Sequence, residues 1–327
     1  ALIIRIRSAT SIIKKNLNHL ITELIDLANK HKSTVMIGRT RNQNAAPTVF
    51  GLKVVNWITP LKRQRERLEE LAPRLLVVQF GGSVGTNSAL RKRGGDVCDK
   101  LAQALDLSLP DAPWHAQRDS IIEFANWLSM TAGQLGKVGK DLMLLSQNEI
   151  NEININNPGK SSTMPNKANP VLFETLVSLA AFCRNNADLL EQTALTSHER
   201  DGVCMKIERL ALPSLISAAS ASIVRARDCL KNMSVNMDAI QKNIVADRGL
   251  IMAEVALFSL MNFTTREKAT ALVSQACESC IINKSHMIDE LKFLSDFDLD
   301  WESLKSLKNH LGDAQQIIEK VVNDHHD

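Results

Sequence analysis

Two hydroxyls, a lysine and an asparagine are gathered in one short segment, Gly159-Lys160-Ser161-Ser162-Thr163-Met164-Pro165-Asn166-Lys167-Ala168-Asn169-Pro170. A serine hydroxyl moves protons poorly unless a cation and backbone amides stabilise its alkoxide. A polar connection between two helices has a similar composition, so these residues alone fit either a site or a loop. Other chemistries lack their parts. Gly159-Lys160-Ser161 resembles the end of a phosphate-binding loop, but the glycine required five residues earlier is Asn154. Gly81-Gly82-Ser83-Val84-Gly85 does not make the G-x-G-x-x-G order, and no alternation of strands and helices surrounds it. No G-x-S-x-G elbow occurs. Cys277 and Cys280 form a single C-x-x-C without a second pair or nearby histidines, so they read as two helix residues one turn apart. His325 and His326 lie in a polar tail, while His286 and His310 fall in surface-like helical patterns.

The segments around this cluster are helical in pattern. Residues 1–30 carry Ile13, Leu17, Leu20, Ile21, Leu24 and Ala28 at helical spacing. A polar loop follows over residues 31–48, then a second helix over 49–71 that Pro73 interrupts. Residues 74–80, Arg-Leu-Leu-Val-Val-Gln-Phe, suit a strand or a buried helix equally. Residues 117–150 form one long amphipathic pattern, about 50 Å as a helix. Two more long patterns cover 171–193 and 203–232, and the patterns shorten from Met233 onward. The expected architecture is all-α: a long-helix bundle over 1–232 and a smaller helical domain over 233–327. Only 14 glycines and 9 prolines among 327 residues agree with few connections. Apolar stripes of that length need partners along the whole helix, which suggests oligomerisation. Hydrophobic residues at 44% and charged residues at 23% exclude a disordered chain. A net charge of +3 gives no case for a nucleic-acid or membrane binder. Six scattered cysteines fit a reducing cytoplasm better than a disulfide framework. Tyrosine is absent, for no physical reason that we can identify.

Ser161 to Pro170 resembles the signature of the fumarase/aspartase superfamily, G-S-S-x-M-P-x-K-x-N-P. Ser161, Ser162, Met164, Pro165, Lys167, Asn169 and Pro170 all fit. Gly38 to Thr48, GRTRNQNAAPT, is similar to a second family region, G-R-T-H-x-Q-x-A-x-P-T. WHAQRD (Trp114 to Asp119) and HERD (His198 to Asp201) fall at family-like places. Pro73 to Thr86 and Gly249 to Glu254 resemble the carboxymuconate cycloisomerase branch, with adenylosuccinate lyase as the competing branch. A non-catalytic structural protein on the same scaffold is the third alternative.

The resemblance implies addition or elimination β to a carboxylate of a small polycarboxylate, with no cofactor and no metal. It assigns the proton transfer to Ser161, with Lys167 and Asn169 on the carboxylate whose charge grows. Arg39, Thr40, Arg41, Gln43, Ser162, Met164, Glu174 and Arg200 become the substrate-binding set. It further implies a homotetramer whose sites are shared between subunits, and a family first region lying upstream of Ala1, so the chain reads as a fragment. Two residues depart from the pattern. Lys160 stands where the family has a small residue. Arg41 replaces a histidine that in relatives pairs with a glutamate at the place of Glu174, and an arginine cannot shuttle protons. An Arg41–Glu174 ion pair within about 4 Å, in one chain or across subunits, is expected instead.

Overall fold

The computed structural model describes residues 1–159, 163, 164 and 166–324. Among them the chain runs through α1 (Leu2–Lys30), β1 (Val35–Thr40), β2 (Gln43–Val49), α2 (Phe50–Leu75), α3 (Gly94–Leu105), α4 (Asp119–Leu145), β3 (Ile153–Ile155), α5 (Val171–Glu191), α6 (Gly202–Lys231) and β4 (Met233–Val235). The shorter α7 (Met237–Asp247), α8 (Ala253–Leu260), α9 (Arg266–Asn283), α10 (Met287–Phe293), α11 (Trp301–Lys305) and α12 (Ala314–Asn323) complete it. The all-α class read from the periodicity is the class observed. Two compact units result, one of residues 1–23, 57–144 and 155–233, the other of 24–56, 145–154 and 234–327. The second unit thus adds two distant segments to the C-terminal helices, and the chain passes from one unit to the other inside α1.

In the first unit, long helices bury continuous apolar stripes. Ile121, Phe124, Leu128, Leu135 and Leu142 on α4 are almost wholly inaccessible, as are Leu176, Cys183 and Leu190 on α5. α5 packs against α6, which buries Leu212, Leu215, Ala219 and Ile223. By length and composition α6 could cross a membrane; here part of its apolar surface is the α5 contact. α4 and α5 meet at glycines. A Cβ on Gly139 would lie 2.6 Å from the Phe173 carbonyl oxygen and 2.8 Å from Leu176 Cβ, and one on Gly136 would lie 2.6 Å from Ala180 Cβ. The two backbones can approach this closely only without side chains there.

In the second unit, α8, α9 and α10 enclose Ala256, Leu260, Ala269, Ala276, Cys280, Met287, Ile288 and Leu291, and Ile37 of β1 joins them. His310 does not face solvent as its pattern suggested. It is buried, and its ring Nε2 bonds the Leu304 carbonyl at 2.7 Å. His286 caps α10, accepting from the Ile288 amide.

Several local expectations give way to tertiary context. The polar loop over residues 31–48 is mostly an antiparallel hairpin, β1 with β2. Its turn, Arg41-Asn42, has positive φ at both residues, as a two-residue type I′ turn requires. Gly38 sits at a register shift where a Cβ would fall 2.7 Å from the Ala46 carbonyl oxygen, so the glycine serves strand pairing. α2 continues through Pro60 and Pro73 to Leu75, because Val54, Ile58, Leu61, Leu68, Leu71 and Leu75 are buried along its length. Residues 76–78 form neither a helix nor a full strand. They pair with Ser108 through Val78 N–H to Ser108 O and Ser108 N–H to Leu76 O, both 2.9 Å. α4 is shorter than its pattern, 27 residues or about 40 Å.

Gly139→Val should therefore separate α4 from the first turn of α5. We expect a loss of about 1–3 kcal/mol in denaturant unfolding, as for overpacked cores. A surface control, Gly95→Ala, where nothing lies within 4 Å, should be near neutral.

Candidate active site

The signature segment connects β3 to α5. Its neck is closed by two backbone hydrogen bonds, Gly159 N–H to Asn169 O at 3.0 Å and Asn169 N–H to Gly159 O at 3.2 Å. Inside it, Lys167 N–H bonds Met164 O at 3.1 Å. Ser161 and Ser162, with Lys160, lie outside the described residues. Met164 and Lys167 are exposed, and Lys167 makes no ion pair among the described residues. Pro170 O accepts from Phe173 and Glu174, which starts α5 and leaves Glu174 exposed on its first turn.

The second candidate region occupies the β1–β2 turn. Thr40, Arg41 and Gln43 are all exposed around it. Neither Arg41 nor Glu174 takes part in an ion pair among the described residues, and the two belong to different units. Arg39 does something other than expected. Its Nη1 and Nη2 each meet one oxygen of Glu152 at 2.8 Å, a fork-to-fork pair. Glu152 is only 1% exposed, so this guanidinium is engaged with a protein carboxylate instead of being left for a substrate. Asn243 of α7 donates to the same carboxylate at 2.9 Å and to the Ile150 carbonyl at 2.8 Å. On β2, Asn44 donates to Asp247 at 3.0 Å, and Asp247 also accepts from the Ile251 amide at 2.8 Å. Both strands of the hairpin are thus tied to α7 by buried carboxylates. Glu152, Asn243 and Asp247 were not apparent from the sequence. Their only signal is acid or amide in a partly apolar segment, which is common.

A cavity of about 430 Å3 lies in the first unit between the WHAQRD and HERD segments. Arg118, at the start of α4, is 9% exposed. It donates through Nε to Glu208 of α6 at 3.0 Å, closes a second contact through Nη2, and lies 5.3 Å over the Trp114 ring. Arg200 donates to the Gly82 carbonyl at 3.1 Å and lines the cavity, as does Arg209. Asp201 caps α6. Hydrogen bonds from the Cys204, Ser197 and Val203 amides hold its carboxyl down to about 2. It stays ionised through the physiological range, and the stability of that cap is lost only as pH falls from about 4 through 2. Burial pushes the Cys183 thiol to about 11 and the Cys229 thiol to about 12, so neither is a nucleophile at neutral pH. Each of these groups resides within one unit.

An all-α chain with this loop and this hairpin falls in one class, and the comparisons agree. A family profile described as lyase matches residues 1–183, and the chain belongs to that family, within the fumarase/aspartase superfamily. It is 34% identical to a 3-carboxy-cis,cis-muconate cycloisomerase from Pseudomonas aeruginosa, covering 99% of this chain and 72% of the relative. It is also 34% identical to an N-acetyl-S-(2-succino)cysteine lyase from Dickeya dadantii, covering 98% of this chain and 73% of the relative. The crystal structure of a 3-carboxy-cis,cis-muconate lactonizing enzyme from Pseudomonas putida superposes with a TM-score of 0.90 at 32% identity, covering 99% of this chain and 74% of that one. The chain is an enzyme of this lyase superfamily.

Removing one member of a buried ion pair leaves the other charge without compensation. Arg39→Met should cost about 3 kcal/mol in chemical denaturation. The double variant Arg39→Met/Glu152→Leu should recover part of that loss.

Proposed function

We propose that this chain interconverts 3-carboxy-cis,cis-muconate and 4-carboxymuconolactone, a step in the breakdown of aromatic compounds. The observation that carries this reading is the likeness to cycloisomerases over nearly the whole chain, in sequence and in structure. Closing the lactone forms a C–O bond between a substrate carboxylate oxygen and an alkene carbon. The π pair takes a proton at the adjacent carbon, next to another carboxylate. Ser161 is the group proposed to carry that proton, with Lys167 and Asn169 on the carboxylate where charge accumulates. Thr40, Arg41, Gln43, Ser162, Met164, Glu174 and Arg200 are the proposed contacts to the rest of the substrate. Arg39 acts one step removed, by holding the hairpin. Arg41 suits the branch because intramolecular attack needs a fixed cation and a folded substrate more than a second proton relay.

Exposed Met164 and Lys167 in the loop and the exposed hairpin turn support sites shared between subunits of a homotetramer. So do Phe182, Leu189, Val203 and Leu210, large apolar side chains left exposed on α5 and α6. One other reading has direct support: β-elimination from a succinyl thioether, given the equally similar succinocysteine lyase. The same carboxylate-adjacent proton transfer would serve both.

Turnover of 3-carboxy-cis,cis-muconate, N-acetyl-S-(2-succino)cysteine and adenylosuccinate, compared spectrophotometrically, tests the assignment. Carboxymuconate should be consumed with the highest kcat/KM. Ser161→Ala should lower kcat by about 100-fold or more with a smaller change in KM. Turnover of a thioether or nucleotide alone would move the chain to the eliminating branch.

A further inference from the structure

The cavity between WHAQRD and HERD contains an imidazole that no step above uses. His115 lines it, partly buried, with Arg118, Arg200, Asp201, Cys204, Glu208, Arg209 and Leu2 at the start of α1. The ring lies against the backbone of Gly81: a Cβ there would come within 2.7 Å of His115 Cε1. Any larger residue at 81 would push the imidazole from its place.

The charges around this ring are unevenly committed. Glu208 is taken up by Arg118, and Asp201 by three backbone amides. Neither forms an ion pair with Arg200 or Arg209 among the described residues. Arg200 spends one N–H on the Gly82 carbonyl, and Arg209 makes no ion pair among the described residues. Two guanidiniums therefore face the cavity without a carboxylate of their own, which suits an incoming polycarboxylate. The volume is within the range of small-molecule sites.

We propose that His115 is a substrate-binding residue that takes up a proton when a polycarboxylate enters this cavity. This rests on the polycarboxylate reading of the function above. In the empty cavity, burial and the guanidiniums of Arg200 and Arg118 hold the imidazole below its ordinary pKa, so it is neutral at pH 7. A bound polyanion offsets those cations and adds negative charge beside the ring, and both effects favour the imidazolium. By linkage, the anion binds more tightly as pH falls from about 8 toward 6, by at most about tenfold per pH unit for one proton. A protonated His115 carries a positive charge and donates from both ring nitrogens, where the neutral ring has a single donor.

Calorimetric titration with tricarballylate, an unreactive tricarboxylate, tests this at pH 7 in two buffers of different ionisation enthalpy. Wild type should take up a substantial fraction of a proton per site. His115→Gln should abolish that uptake and flatten the pH dependence while retaining measurable binding. Arg200→Met should weaken binding about tenfold or more, as expected for a charge-assisted pair. Absence of tricarballylate binding, absence of uptake in wild type, or equal uptake in His115→Gln overturns the proposal. Should the variant not fold, the wild-type uptake and its decay toward pH 8.5 decide alone. Binding with uptake in a chain that does not turn over carboxymuconate would leave this inference standing and remove only the substrate assignment. Turnover without uptake would do the reverse.

Discussion

A carboxylate taken out of water must be surrounded by donors, and the second unit is arranged around one such group. Glu152 is 1% exposed and has the Arg39 fork on one side and Asn243 on the other. Its backbone oxygen accepts from Asn236 at 2.9 Å. Three segments about a hundred residues apart are thereby set against one another. A buried ion pair of this kind adds little net stability over apolar residues of the same shape. Its value is directional: two parallel hydrogen bonds fix an arginine to within a narrow angle, and a packed leucine would not. The turn that presents Thr40, Arg41 and Gln43 begins one residue beyond Arg39, so its orientation follows from this pair.

The first unit reaches the same end with a different device. Gly136 and Gly139 let α4 and α5 approach until backbone touches side chain. The antiparallel pair between Gly159 and Asn169 then closes the neck of the loop between β3 and α5. Close packing of rigid helices thus fixes where the loop leaves and returns. Beyond that neck, Met164 and Lys167 remain exposed. Three arginines, Arg118, Arg200 and Arg209, line the cavity by the starts of α4 and α6.

Much of this was legible from periodicity. Helix class and approximate extent follow from apolar spacing in α1, α4, α5 and α6, since each buries a stripe at that spacing. The site loop was legible because its uncommon mixture of Ser, Met, Pro, Lys and Asn matches a family signature. The hairpin was not: residues 35–49 lack the Asn-Gly or Asp-Gly turn that marks such pairs, and Arg41-Asn42 adopts positive φ without a glycine. The helix end past Pro73 was not legible either. Local rules stop a helix at proline, and buried Leu75 shows that packing overrode them.

The sequence by itself determined the class of the chain, the approximate extent of its long helices, and the loop that matches the family signature. These depend on residues near one another in sequence, where spacing and motif are sufficient. Only the tertiary structure decided what the charged residues do. Arg39 read as a substrate ligand and is the partner of Glu152, 113 residues away. HERD read as one motif, and it divides between a cavity-lining arginine and a helix cap. WHAQRD places a histidine and an arginine in the same cavity for different ends, one paired with Glu208 and the other against Gly81. A charge takes its role from what compensates it, and the compensating group is chosen by the fold and not by neighbours along the chain.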